Sequence, residues 1–143
     1  MTRTGSAVWN GSLTDGSGRL STESGVLEST AYSFGTRFGD TPGTNPEELL
    51  AAAHAACFSM ALANEMTKAG QAPESVETTA KATINKTGGG FEISTIHLVS
   101  TVAAPGFDAE RFRALAEATK AACPVSKALA GPTITLDATL NGG

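Results

Sequence analysis

The sequence predicts an α+β fold, an antiparallel sheet wrapped on a long central buried helix, in one domain over residues 1–143. Three observations predict it. Residues 44–70 carry a strong helix signal with no formal charge between Glu48 and Glu65. Segments of period-two alternation lie on both sides of it, grouped rather than interleaved one by one with helices. A second, amphipathic helix pattern precedes the last of these segments.

Residues 4–11 read as a short strand ended by Asn10-Gly11, with Trp9 directed at the core. Asp15-Gly16-Ser17-Gly18 is a turn and residues 19–22 resume extended chain, which makes a hairpin. Residues 32–38 read as a further strand: Tyr32, Phe34, Thr36 and Phe38 alternate with Ser33, Gly35 and Arg37, so Arg37 lies opposite an aromatic face. Residues 39–43 lead into the central helix. There Asn45 is a good N-cap, Pro46 suits the first helical position, Glu48 occupies the capping-box position, and Glu47 and Glu48 meet the positive end of the helix dipole. Gly70 stops the helix after Lys68. From residue 49 to residue 59 every side chain is apolar or small except His54. A helix apolar on all sides is buried on all sides, and its uncharged part is shorter than the about 20 residues a bilayer requires. One sheet covers one side of a helix, so a second copy of the chain is expected on the other.

Residues 75–84 alternate cleanly, with Val76, Thr78, Ala80, Ala82 and Ile84 on one face. A glycine turn at residues 87–90 joins them to the longest strand, residues 91–102, and so short a connection makes the pair antiparallel. Asp108 caps a helix whose apolar stripe is Phe112, Leu115, Ala116, Thr119 and Ala122, next to Cys123. Pro124 disfavours helical geometry at Cys123. The helix therefore breaks there, and a short new one starts with Cys123 as N-cap and Pro124 at its first position, ending by Gly131. Residues 133–140 alternate as the last strand.

A charged fraction of 17%, against about 25% in typical domains, leaves little surface to solvate and points to an oligomer. A net charge of -4 without any basic run excludes nucleic acid as a partner. Met1-Thr2-Arg3 leads into no apolar signal segment, so a cytoplasmic location with no membrane association is expected. In such a setting two cysteines are reactive or buried and free rather than a structural staple.

Six side chains are candidates for chemistry. Cys57 lies deep in the uncharged helix, where burial raises a thiol's pKa; it becomes reactive only if a cation reaches it. Cys123 stands at a helix N-terminus, which lowers a thiol pKa without a partner. The two form a redox or nucleophilic pair, or are two buried thiols acting as small hydrophobes. Arg37, among Phe34 and Phe38, needs an anion that Glu47 or a thiolate can supply, unless it snorkels to water; Arg19 has similar credentials. Glu47 needs no role beyond the helix dipole, and ten helical residues, about 15 Å of rise, separate it from Cys57. His54, one turn before Cys57, is a candidate base, a third zinc ligand with Cys57 and Cys123, or a core histidine with a satisfied hydrogen bond. His97 is assigned no role.

NPEELLAAAHAACFSMAL, with CPVSKAL some sixty residues later, resembles the OsmC/Ohr family of osmotically inducible and organic hydroperoxide resistance proteins. STESGVL, the Thr36-Arg37-Phe38 tripeptide, GTNPEELL and ITLDATL fit the OsmC branch in order, so the resemblance extends over nearly the whole chain. It implies an OsmC-like fold, an intertwined homodimer with active sites at the interface, and a thiol peroxidase that uses no metal or flavin cofactor. Cys57 would be the peroxidatic cysteine and Cys123 the resolving one. Arg37 would lower the Cys57 pKa and orient the peroxide, held by a salt bridge from Glu47, and both could come from the partner chain. An organic hydroperoxide would be reduced, and H2O2 more weakly, through a Cys57 sulfenic acid and a Cys57–Cys123 disulfide, recycled by an external dithiol of lipoyl or thioredoxin type. Phe34, Phe38, Phe58 and Met66 are expected to line the pocket for the organic tail. The competing readings are a non-enzymatic thiol redox sensor, an apolar-ligand binding protein and a zinc site.

Overall fold

The computed structural model describes residues 1–141. Its backbone contacts divide the chain into two compact units, Met1–Leu49 and Leu50–Gly143, and each is described by itself.

The first unit is an antiparallel meander of β1 (Gly5–Asn10), β2 (Ser17–Thr22) and β3 (Thr30–Ser33). Trp9 packs against Tyr32 with ring centroids 5.4 Å apart, and both rings lie over Gly18. A Cβ at Gly18 would stand 2.4 Å from the Tyr32 ring, so no larger residue fits there. The expected strand over residues 32–38 ends at Ser33, and Phe34–Phe38 forms a short helix, α1. A capping box explains the change. Ser33 Oγ accepts the Thr36 amide at 3.2 Å, and Thr36 Oγ1 accepts the Ser33 amide at 2.9 Å. Phe34 and Phe38 still share one face, with rings 4.9 Å apart, because a spacing of four satisfies the helical period as well as the strand alternation. Asn45 then serves two elements. Its Oδ1 accepts the Glu48 amide at 2.8 Å, which caps the long helix α2 (Pro46–Lys68), and its Nδ2 donates to Thr36 O in α1 at 3.2 Å.

The second unit contains the rest of α2, then β4 (Ser75–Thr87), β5 (Gly90–Ala103), α3 (Ala109–Ala122), α4 (Pro124–Ala128) and β6 (Thr133–Asn141). β4 and β5 pair antiparallel through the glycine turn. β6 adds to β5 in parallel, which departs from an all-antiparallel sheet. The reason is the connection: α3 and α4 return the chain to the end of the sheet where β5 began, and such a crossover leaves a parallel neighbour. His97 on β5 reaches both Thr135 and Asp137 of β6, with Nε2 2.7 Å from Asp137 Oδ2.

His54, Phe58, Leu62 and Met66, four residues apart, form the fully buried stripe of α2. The core they belong to includes Ile96, Leu98 and Val102 of β5 and Phe112 and Ala116 of α3. Each large apolar side chain enclosed this way contributes about 1.5–3 kcal/mol. A chain of hydroxyls, Ser59 to Thr78 at 2.8 Å and Thr78 to Ser100 at 3.0 Å, crosses from α2 to β4 and β5, so the buried Ser100 is paired. Helix α2 is long and apolar enough to cross a bilayer by length and composition, but its Phe58, Leu62 and Met66 are wholly enclosed in protein. Burial on all sides is not reached within one chain. Ala52, Ala53 and Ala56 stay exposed, and Met60 is 75% exposed.

His54 Nε2 meets Ser126 Oγ at 2.8 Å, tying α2 to α4, while its Nδ1 is buried with no partner among the described residues. Burial holds this imidazole below its ordinary pKa of 6.5. The unfolded chain therefore takes up a proton near pH 6.5 that the folded chain refuses, so stability is complete above that pH and declines below it. His54→Gln, which does not titrate, should start from a lower Tm at pH 7.5 and lose less on acidification to pH 5.5, at about 3 °C per kcal/mol for this length. Thermal unfolding of both proteins at the two pH values checks this, and equal losses would contradict it.

Candidate active site

Cys123 is the junction of two helices. Its amide donates to Thr119 O at 2.8 Å, closing α3, and its carbonyl accepts the Lys127 amide at 3.0 Å, opening α4. Pro124 occupies the first position of α4, and Cys123 is extended, with φ -53 and ψ 128. Cys57 lies on α2 between the buried His54 and Phe58, half-buried itself. The two sulfurs are 3.0 Å apart and share a hydrogen bond, although 66 residues separate them in the chain. Both are free thiols, and Cys123 is 1% exposed.

Their electrostatics differ. Burial pushes the Cys57 thiol up, and its hydrogen bond with Cys123 and the charge there push it further, against one amide hydrogen bond from Val125. Burial also acts against the Cys123 thiolate. There it is outweighed by the hydrogen bond from Cys57, by the amide and hydroxyl of Ser126 and by the Val125 amide, which together hold Cys123 below its ordinary value. Within this unit, burial dominates at Cys57, whereas the amides at the start of α4 favour the charged form at Cys123.

The cation candidate lies in the first unit. Arg37 pairs with Glu47 through Nη2 to Oε1 at 2.7 Å and through Nε to Oε1 and Oε2 at 3.1 and 3.2 Å. Glu47 is buried and Arg37 about one-third exposed. The guanidinium also covers the Phe38 ring at 5.0 Å. Arg37 lines a hollow of about 210 Å³, walled also by Trp9, Leu13, Tyr32, Phe34 and Phe38. The expected apolar pocket is corrected on this point: Phe34 and Phe38 line a hollow, whereas Phe58 and Met66 are fully buried in the core of the second unit because they lie on the buried stripe of α2.

Arg19, the rival arginine, is exposed and donates to Ser29 O at 2.8 Å. His54 is engaged with Ser126, and among the described residues no three or more His, Cys, Asp or Glu side chains are grouped to hold a metal ion. Sequence reasoning missed Ser126. It reaches both His54 and Cys123, and its position three residues after the N-cap Cys123, where capping-box side chains stand, was the available signal.

The OsmC-like protein family matches residues 38–137. The chain is 51% identical over 133 residues to Peroxiredoxin OsmC of Escherichia coli (strain K12), covering 93% of this chain and 92% of that protein. It is 30% identical over 115 residues to the organic hydroperoxide resistance protein OhrB of Bacillus subtilis (strain 168), covering 80% and 82% of the two. Among solved structures, an organic hydroperoxide resistance protein from Vibrio cholerae superposes with a TM-score of 0.72 at 30% identity, over 98% of this chain and 92% of that one. With a family match that covers most of the second unit and both cysteines, and that begins one residue after Arg37, this chain belongs to the OsmC-like family.

Proposed function

We propose that this protein is a cysteine-based peroxidase that reduces organic hydroperoxides, and H2O2 more weakly, in defence against oxidative and osmotic stress. Family membership supports the enzyme class. The observation that carries the mechanism is the 3.0 Å contact between two free thiols, one on α2 and one at the start of α4. The Cys57 thiolate attacks the O–O bond, the alcohol leaves, and Cys57 becomes a sulfenic acid. Cys123, already in contact, condenses with it to a disulfide with loss of water, ahead of over-oxidation. An external dithiol of lipoyl or thioredoxin type restores both thiols, and no metal or flavin takes part.

Nucleophilic Cys57 requires that the thiolate leave Cys123. A guanidinium at Cys57 supplies the preference, since a nearby cation lowers a thiol pKa. Arg37 is suited to this, because Glu47 orients its guanidinium through Nε and Nη2. Along α2, ten residues separate Glu47 from Cys57, so the partner subunit's Arg37 and Glu47 are proposed to complete each site in a homodimer. The exposed Ala52, Ala53, Ala56 and Met60 face of α2 supports such an association. Both units would then belong to one OsmC-like domain of a cytoplasmic protein.

A second assignment, in which Cys123 attacks and Cys57 resolves, is supported by the amides of Val125 and Ser126 that favour a thiolate at Cys123. Two experiments separate these readings, and a third tests the dimer. In steady-state assays with cumene hydroperoxide and dihydrolipoamide, Cys57→Ser should lose about a thousandfold or more in kcat. Cys123→Ser should keep one fast equivalent and lose multiple turnover; the reverse pattern would exchange the roles. Brief alkylation at neutral pH should label Cys57 first in the wild type and Cys123 first in Arg37→Ala, as read by peptide mass mapping. Arg37→Lys should behave like Arg37→Ala in part, since lysine lacks the fork that Glu47 holds. Met60→Asp should shift the protein from dimer to monomer in sedimentation and lower turnover with it; an unchanged dimer would remove α2 from the interface.

A further inference from the structure

We propose that His54 is a positioning residue for the thiol chemistry: it donates its Nε2 hydrogen to Ser126 Oγ and so turns the Ser126 hydroxyl onto Cys123, where it holds the thiolate that closes the disulfide. The proposal rests on the peroxidase reading only in giving Cys123 the resolving role.

Three buried side chains follow one another in contact. His54 Nε2 stands 2.8 Å from Ser126 Oγ. Ser126, three residues after the N-cap Cys123, reaches back to hydrogen-bond its sulfur. A hydroxyl has one hydrogen to give, so two arrangements are open. In one, Ser126 donates to His54 Nε2, and its oxygen can only accept the S–H of a neutral Cys123. In the other, His54 Nε2 keeps its hydrogen and donates to Ser126 Oγ, which releases the hydroxyl hydrogen to Cys123. Only the second stabilises a thiolate. The tautomer of His54 is thereby linked to the charge of Cys123.

The far side of the imidazole decides between the two. His54 Nδ1 is buried with no hydrogen-bond partner among the described residues. The first arrangement puts the ring hydrogen there, as an orphaned N–H in a closed core. Among buried backbone groups an orphaned N–H is rarer than an under-used acceptor, and the same preference leaves Nδ1 bare. Burial also holds the ring neutral, so its single hydrogen is on Nε2.

The arrangement acts at the step that needs it. Cys57 lies 3.0 Å from Cys123, and a thiolate on one opposes a thiolate on the other. Once Cys57 has become a neutral sulfenic acid, that opposition ends. Cys123 then loses its proton with the Ser126 hydroxyl in place to meet the charge. Its thiolate attacks Cys57 Sγ, and the S–S bond forms as the S–O bond breaks. The departing hydroxide takes up a proton in place of the one lost from Cys123, so one water is released. His54 and Ser126 keep their hydrogens throughout.

The test uses the full chain carrying Cys57→Ala, which removes the other titratable side chain against Cys123 and any hydroperoxide turnover. Nitrogen NMR of the His54 ring, with Cys123 ionised, should find the hydrogen on Nε2. A bare Nε2 with the hydrogen on Nδ1 overturns the proposal, and no change of packing can mimic the expected result. Ultraviolet titration of the Cys123 thiolate should move to higher pH in Ser126→Ala and in His54→Leu. It should return toward the parent in His54→Gln, whose amide can again donate to Ser126. Equal midpoints in all four proteins, or a shift in His54→Leu that His54→Gln does not reverse, overturn the proposal. In the two-cysteine protein, disulfide formation after one equivalent of cumene hydroperoxide should slow about tenfold in Ser126→Ala at neutral pH. The deficit should close as pH rises and the thiol ionises unaided; a deficit independent of pH overturns the role. Inertness of the two-cysteine protein to hydroperoxide, with the expected ring hydrogen and titrations, would overturn only the peroxidase reading.

Discussion

Pro124 has no amide hydrogen and excludes helical geometry at the residue before it, so α3 must stop at Cys123 and α4 must begin there. That single backbone constraint places a thiol where two amides, Val125 and Ser126, point at it. It also leaves Ser126 able to reach His54, which holds the start of α4 against α2. The contact of the two sulfurs depends on both. Without the break Cys123 would lie along an uninterrupted helix, and the His54–Ser126 tie joins the Val125 amide at Cys57 in linking α4 to the helix that carries Cys57.

The two cysteines occupy opposite electrostatic situations for reasons local to each. Cys57 is in mid-helix, where the amides are consumed by the helix itself and burial finds little to offset it. Cys123 is at an N-terminus, where amides are unspent. A peroxidase that uses the mid-helix thiol as nucleophile therefore has to bring its cation from elsewhere. In the Arg37–Glu47 pair a buried carboxylate holds the guanidinium through Nε and Nη2, and the Phe38 ring lies against its face. The capping box at Ser33 and the double role of Asn45 tie together the short segment between β3 and α2 that carries Arg37.

The exposed face of α2 and the hollow beside α3 express two different uses of small side chains. Ala52, Ala53 and Ala56 leave a flat apolar surface on which another helix can approach closely. Ala61, Ala118 and Ala122 instead line a hollow between α2 and α3, where their short side chains leave space. A fold with a low charged fraction can sustain both only if part of its apolar surface is covered or used.

Much of this was determined by local sequence. The N-cap at Asn45, the stop at Gly70, the hairpin glycines after Thr87 and the break at Cys123-Pro124 are all decided by residues a few positions apart, and the structure follows them. The segment Phe34–Phe38 was misread because its spacing of four fits both periods; the Ser33–Thr36 pair that decides between them was in the sequence. Which stripe of α2 is buried was not legible, since an apolar helix offers no polar face to exclude, and only packing on β5 selects His54, Phe58, Leu62 and Met66. The parallel register of β6 was likewise a tertiary decision, because alternation specifies a face but not a direction. The meeting of Cys57 with Cys123 across 66 residues belongs to the same class: each residue's local role could be read from its neighbours, but their 3.0 Å contact exists only once the core has closed between them.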